Sequence, residues 1–159
     1  MKLIQLNDIQ LKMLIQSGDT PTDLTFIEHS IPPIHVLVRS MDLRYNRVDV
    51  IWALPYFIQK HTQIIGACGF KEAPKNSRVE IGYNVAPDAR GLGVATSAIK
   101  QLSQIAFASA VVDTVFALIA SDNKASLNVV QKNGFSFKEF VIDSDGEQLE
   151  YWELNKGVS

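Results

Sequence analysis

The residues best suited to chemistry lie in Glu80-Ile81-Gly82-Tyr83-Asn84-Val85-Ala86-Pro87-Asp88-Ala89-Arg90-Gly91-Leu92-Gly93-Val94-Ala95. This reads as a strand, a sharp turn and the first turn of a helix. Gly91, Gly93 and Ala95 put small side chains where the helix begins. A helix start leaves backbone N–H groups unpaired and carries the positive end of the helix dipole. Together these can seat an anion such as a pyrophosphate. The other reading is a turn whose two glycines serve structure alone. Glu80, at the far end of the strand, offers a carboxylate that can take a proton from a substrate or attract a cation. As a plain surface residue it would instead pair with Arg78 or a cross-strand lysine.

Other chemistries find little support. A dinucleotide fingerprint started at Gly91 and Gly93 puts its third small position on Thr96, and no Gly-Lys-Ser/Thr occurs in the chain. The one cysteine, Cys68, sits in an apolar run and reads as a buried hydrophobe. His29, His35 and His61 have no ligand spacing, so no metal is expected. A net charge of −2 and a pI near 5.9 argue against a dedicated nucleic-acid binder. Arg39, Arg44 and Arg47 are interleaved with Asp42 and Asp49, as on a solvated mixed surface. The most apolar stretch, Ile105 to Ala120, is interrupted by Ser109, Asp113 and Thr114 and is shorter than the roughly 20 residues of a spanning helix. The first residues lack the pattern of a signal peptide. The expectation is a cytoplasmic protein with no membrane contact, in which residues 1–159 form a single domain.

The elements that must position these residues follow from periodicity and punctuation. Lys2 to Leu6 alternates as a strand. Asn7 or Asp8 caps a helix from Ile9 to Ser17, which Gly18 ends. Thr20-Pro21-Thr22-Asp23 suggests a turn into a helical segment that Pro32-Pro33 breaks, and Ile34 to Leu43 is helical again. Strands are predicted at Val50 to Gln59, with a bend at Pro55, then at Ile64 to Phe70 and Arg78 to Val85, as an antiparallel meander. A helix from about Leu92 to Ala108, a strand within Val111 to Ala120 and a helix from Lys124 to Lys132 follow. A C-terminal hairpin of Ser136 to Ile142 and Gln148 to Leu154 closes the chain. This mixes antiparallel strands with one β-α-β crossover.

At this point the residues resemble a known family. Arg90-Gly91-Leu92-Gly93-Val94-Ala95 is similar to the Arg/Gln-x-x-Gly-x-Gly/Ala signature of the GCN5-related N-acetyltransferases, and Glu80 to Val85 looks like their fourth strand. Asn123-Lys124-Ala125-Ser126, followed by Lys132-Asn133-Gly134-Phe135, resembles their second conserved stretch. The serine form is similar to the ribosomal-protein alanine N-acetyltransferase branch. The resemblance is strongest from Arg78 to Phe135.

The resemblance implies a mixed, largely antiparallel α/β sheet with splayed central strands and helices on both faces. It implies acetyl-CoA as cosubstrate and an amine as acceptor. The backbone at Asn84, Val85 and Ala86 would hold the pantetheine arm and thioester. The N–H groups of Arg90, Gly91, Leu92, Gly93, Val94, Ala95 and Thr96 would cradle the pyrophosphate. Asn123 would touch the cofactor as well as cap its helix. Glu80 would be the general base, since a lysine ammonium of pKa about 10.4 or an α-amine of about 8 must lose a proton before attack. Many members use a tyrosine acid on the second helix, but the matching residue here is Val130. Ser126 or water is left to assist the departing thiolate, and Ser126 counts among the cofactor contacts. Tyr83, Tyr151 and Trp152 read as core or rim aromatics, and Trp52 and Tyr56 as residues that can line an acceptor pocket. A CoA-binding domain without catalysis is the alternative, and an NAD-binding oxidoreductase ranks last. The C-terminal hairpin offers an edge for a homodimer.

Overall fold

The structure, a computed structural model, describes residues 1–157. In chain order it contains β1 (Lys2–Ile4), α1 (Asp8–Ser17), β2 (Thr25–Phe26), α2 (Ile34–Tyr45) and α3 (Val50–Ala53). It continues with β3 (Tyr56–Lys60), β4 (Gln63–Phe70), β5 (Arg78–Val85), a 3₁₀ turn at Pro87–Ala89 and α4 (Val94–Ala108). It ends with β6 (Thr114–Ala120), α5 (Lys124–Lys132), β7 (Ser136–Ile142) and β8 (Gln148–Asn155). The strands form one sheet in the order β1-β3-β4-β5-β6-β8-β7, with β2 beside β4. Only β5–β6 and β2–β4 run parallel. The largely antiparallel α/β sheet, the meander and the terminal hairpin are as the sequence led us to expect.

Two segments differ from expectation. Val50–Ala53 is a helical turn rather than the start of a strand. Asp49 caps it by accepting from the Ile51 N–H at 2.9 Å, and Pro55, with no N–H to give a ladder, delays the strand to Tyr56. After Pro21 the chain makes a turn and then β2, not a helix, because Thr25 and Ile27 donate to the carbonyls of Thr62 and Ile64.

Alternation along the strands builds a core on each face. Val79, Ile81 and Val85 of β5 pack on Val94, Ala98, Ile99 and Leu102 of α4. Phe57, Ile64 and Ala67 face Leu11 and Leu14 of α1 and Leu37 of α2. β4 and β5 approach closely at Gly66, where an added Cβ would collide with the Asn84 carbonyl oxygen.

The parallel pair is short. β5 and β6 are in register only at Arg78↔Thr114, Val79↔Val115 and Glu80↔Phe116. Past that point β5 stays with β4 to Val85 while β6 stays with β8 to Ala120. The paired end is clamped by Arg78. Its guanidinium lies 5.5 Å from the ring centroids of both Phe116 and Tyr151 and donates to Glu153 Oε2 at 2.8 Å.

Gly66→Ala is expected to lower stability by about 1–3 kcal/mol, because the collision is with backbone that a packed sheet cannot easily move. Urea denaturation measures the loss, and an unchanged midpoint would show that β4 and β5 can separate there at no cost.

Candidate active site

The turn after β5 is open on its outer side. Gly91 and Gly93 have φ of +78° and +74°, a left-handed backbone that favours glycine, and nothing lies within 4 Å of a Cβ built on either. The first helical bond of α4 is made by Ser97 N–H to the Gly93 carbonyl at 3.1 Å. The N–H groups of Val94, Ala95 and Thr96 therefore precede the ladder and have no helical acceptor. Those of Gly91 and Leu92 make no backbone bond among the described residues. Arg90 differs, since its N–H is spent on the Pro87 carbonyl at 3.2 Å. Its side chain turns back instead, and Nε donates to the Val85 carbonyl at 3.0 Å.

Behind this turn lies the gap between β5 and β6. Lys71 N–H bonds the Glu80 carbonyl, and Ala86 N–H bonds the Ile65 carbonyl. With Gly66 opposite Val85, antiparallel alternation turns the backbone groups of Gly82, Asn84 and Ala86 onto β4. Those of Tyr83 and Val85 point into the gap. Asn84 and Ala86 are therefore beside the gap but aim their N–H groups away from it. A cleft of about 170 Å³ fills the gap, walled by Tyr83, Ala117, Ile119, Asn123, Ser126 and Val130 among others.

Side chains from β5 and from α5 with its cap meet here. Asn123 caps α5, its Oδ1 accepting from Ser126 N–H at 3.1 Å, which leaves the exposed Nδ2 free to donate. Ser126 Oγ and the Tyr83 hydroxyl share a hydrogen bond of 2.7 Å across the gap. Burial raises the Tyr83 hydroxyl above the ordinary phenol range, and the hydrogen bond with Ser126 opposes this. It therefore keeps its proton at neutral pH. Val130 is buried and offers no polar group. Tyr83 is half-buried, as a rim aromatic should be, yet its hydroxyl stands in the cleft. The signal for this was present in the sequence: Val79 and Ile81 share its strand parity, so Tyr83 faces the helix that Asn123 starts.

Glu80 lies on the opposite face of β5, with Gly82 and Asn84. Its Oε2 is 2.8 Å from Lys71 Nζ, and its side chain is 19% exposed. The cross-strand lysine partner thus exists, while Arg78 pairs with Glu153. A second cleft of about 350 Å³ opens on this face, between α2 and strands β4 and β5. Lys71, Gly82 and Tyr83 border both clefts, so the two meet across β5 near Gly82. Trp52 and Tyr56 do not line it. They are buried on the other face against Phe70.

Comparison with known proteins agrees with this geometry. Residues 26–136, more than half of the chain, match the family described as Acetyltransferase (GNAT) domain. The chain belongs to the GNAT acetyltransferase family. It is 28% identical over 128 residues to an uncharacterized N-acetyltransferase p20 of Bacillus licheniformis, covering 80% of this chain and 66% of that protein. The chain thus spans just under two thirds of that relative. Its fold is similar to the microcin C7 self-immunity acetyltransferase MccE in complex with acetyl-CoA and AMP, with a TM-score of 0.65 at 24% identity over 77% of this chain and 69% of that one. It is also similar to Mycobacterium smegmatis RimJ in complex with CoA-disulfide, with a TM-score of 0.60 at 20% identity over 65% of this chain and 53% of that one. The mixed, largely antiparallel sheet with helices is the fold that the residues had suggested.

No helix among the described residues is long and apolar enough to cross a membrane. Among the same residues no group of three His, Cys, Asp or Glu side chains is gathered to hold a metal ion. Cys68 is buried at 4% exposure, and burial pushes its thiol up to about 12.

In the folded GNAT domain Cys68 should resist iodoacetamide at about pH 8 and react once the chain is unfolded in urea. The same burial sets a pH dependence. The unfolded thiol loses its proton near 9.0 and the folded one near 12. This contribution to stability is thus complete below about pH 9 and lost as pH rises toward the folded value. Urea midpoints should fall over that window, and a flat profile would contradict the burial of Cys68.

Proposed function

We propose that this GNAT domain transfers the acetyl group of acetyl-CoA to a primary amine by direct attack. The observation that carries the reading is the meeting of two clefts across β5, one on each face, at Gly82 and Tyr83. One cleft is bordered by Tyr83, Asn123 and Ser126 and by β6 from Ala117 to Ala120. The other gives an acceptor access from the α2 side. Acetyl-CoA supplies an activated thioester carbonyl.

In this proposal the N–H groups from Gly91 to Thr96 hold the pyrophosphate, and Arg90 acts by fixing the turn to Val85. The free backbone groups of Tyr83, rather than those of Asn84 and Ala86, pair with the pantetheine arm. Asn123 Nδ2 donates to the same arm. Glu80 accepts the ammonium proton through water, after Lys71 yields one carboxylate oxygen. The amine nitrogen then forms a bond to the carbonyl carbon. Val85 N–H faces the developing oxyanion, and such a donor is worth about 10²–10³ in rate. The nitrogen releases its second proton to water, and as the C–S bond breaks the Ser126–Tyr83 hydroxyl pair donates a proton to the sulfur and regains one from water. A tyrosine on β5 thereby supplies the hydroxyl absent at Val130. The serine at 126 is what favours an alanine N-acetyltransferase-like chemistry. The Lys71–Glu80 pair is what favours the second reading, a CoA-binding domain that performs no transfer. Self-association through β7, where Phe140 and Ile142 are exposed, completes the proposal. Sedimentation showing a monomer at all concentrations would remove that last part.

Release of thiol from acetyl-CoA across a panel of amines and peptides tests the activity. Glu80→Gln should lower kcat/KM by about 10²-fold or more, and Tyr83→Phe should lower kcat by a similar factor without weakening CoA binding. Thermal stabilisation by CoA with no turnover on any amine would select the second reading. Unchanged rates in Glu80→Gln would take Glu80 out of the mechanism.

A further inference from the structure

The cleft on the α2 face has a charge pattern that selects its ligand. Among its lining residues are Arg39 of α2 and Lys71 at the end of β4, and no carboxylate is among them. Glu80, on the same face of β5, is already paired with Lys71 at 2.8 Å. Arg39 has no ion-pair or hydrogen-bond partner among the described residues, although it is half-buried. Its neighbour in sequence, Arg44, is fully engaged, with Nε and Nη2 on the Asp8 carboxylate at 3.0 and 3.1 Å. The cleft therefore carries one uncompensated guanidinium. The wall also carries His35, Ser40 and Tyr83, which are polar but hold no negative charge, and is otherwise largely apolar, with Pro32, Pro33, Pro55 and Phe70. The Asn84 side chain faces the same space and makes no bond within the chain.

A guanidinium presents paired N–H donors that match the two oxygens of a carboxylate or phosphate. A polyamine entering this cleft would meet cations on two sides. A volume of about 350 Å³ is at the small end of ligand pockets and suits a molecule rather than a folded domain. Glu80, Gly82 and Asn84 share one face of β5, so Glu80 stands about 7 Å from the strand's opening at Gly82. An amine there can reach both the shared border of the clefts and, through water, the carboxylate.

We propose that the acceptor is a small amine that also bears an anionic group, a carboxylate or a phosphate, held by Arg39 while its amine faces Gly82. This rests on the acetyl-transfer reading above and names its substrate class. Bond changes are those already described, and the anionic group takes no part in them.

The test compares matched acceptors in the thiol-release assay: α-amino acids against their amides, phosphoethanolamine against ethanolamine, and spermidine. The carboxylate and phosphate pairs separate the two sources of negative charge. The anionic member of at least one pair should have a KM lower by about tenfold or more, as expected for one charge-assisted hydrogen-bonded contact. Arg39→Gln should raise that KM by about tenfold and change the neutral member far less, and Arg39→Lys should recover part of the loss. Preference for the neutral members or for spermidine, or an equal effect of Arg39→Gln on both members, overturns the proposal. A second measurement does not need turnover. With CoA present, the anionic amines should raise the melting temperature of the wild-type chain and not of Arg39→Gln. If acetyl transfer fails but this shift appears, the anion site stands and the catalytic reading falls. If transfer occurs with no dependence on Arg39, the reverse holds.

Discussion

The structure depends on two parallel strands that pair for only three residues. β5 and β6 meet at Arg78, Val79 and Glu80 and then part. Leaving the backbone groups of Tyr83 and the N–H of Val85 unpaired in a sealed core would cost roughly 1–3 kcal/mol each. The gap is instead a cleft of about 170 Å³, so water or a ligand can satisfy them. What holds the strands together at one end is Arg78, stacked against Phe116 and Tyr151 and paired to Glu153. At the other end the Tyr83–Ser126 hydrogen bond ties β5 to α5. The stretch of β5 left unpaired by β6 thus coincides with the candidate site.

The same division gives the two faces of β5 different chemistry. The side toward α4 and α5 is apolar, with hydroxyls at Tyr83 and Ser126 and free N–H groups at the turn. The side toward α2 carries the charges, Arg39, Lys71 and Glu80. Strand alternation alone accomplishes this, because Tyr83 and Glu80 have opposite parity. Two clefts thereby reach one strand from opposite sides, one apolar with hydroxyls and one charged.

Much of this was legible in the sequence. The Gly91–Gly93 turn, the Asn123 cap and the strand carrying Glu80 are local features, fixed by backbone conformations that few residues tolerate and by hydrogen bonds three residues long. The meander and the terminal hairpin follow from alternation between turn signals. The segment from Thr20 to Tyr56 was read less well. β2 forms only through bonds to residues near Thr62 and Ile64, and α3 forms because a cap at Asp49 and a proline at Pro55 outweigh the β-branched composition between them. No local pattern carries either fact.

The sequence by itself determined the turn, the helix starts and the strand that surround the site, since capping, turn chemistry and strand parity act over a few residues. Only the tertiary structure decided who meets whom. That Tyr83 reaches Ser126, that Lys71 occupies Glu80, that Trp52 and Tyr56 are buried away from the α2 cleft, and that Arg39 rather than Arg44 is left unpaired all depend on contacts between residues far apart in the chain. Such contacts are set by how the sheet twists and how the helices pack on it, and those are properties of the whole core rather than of any segment.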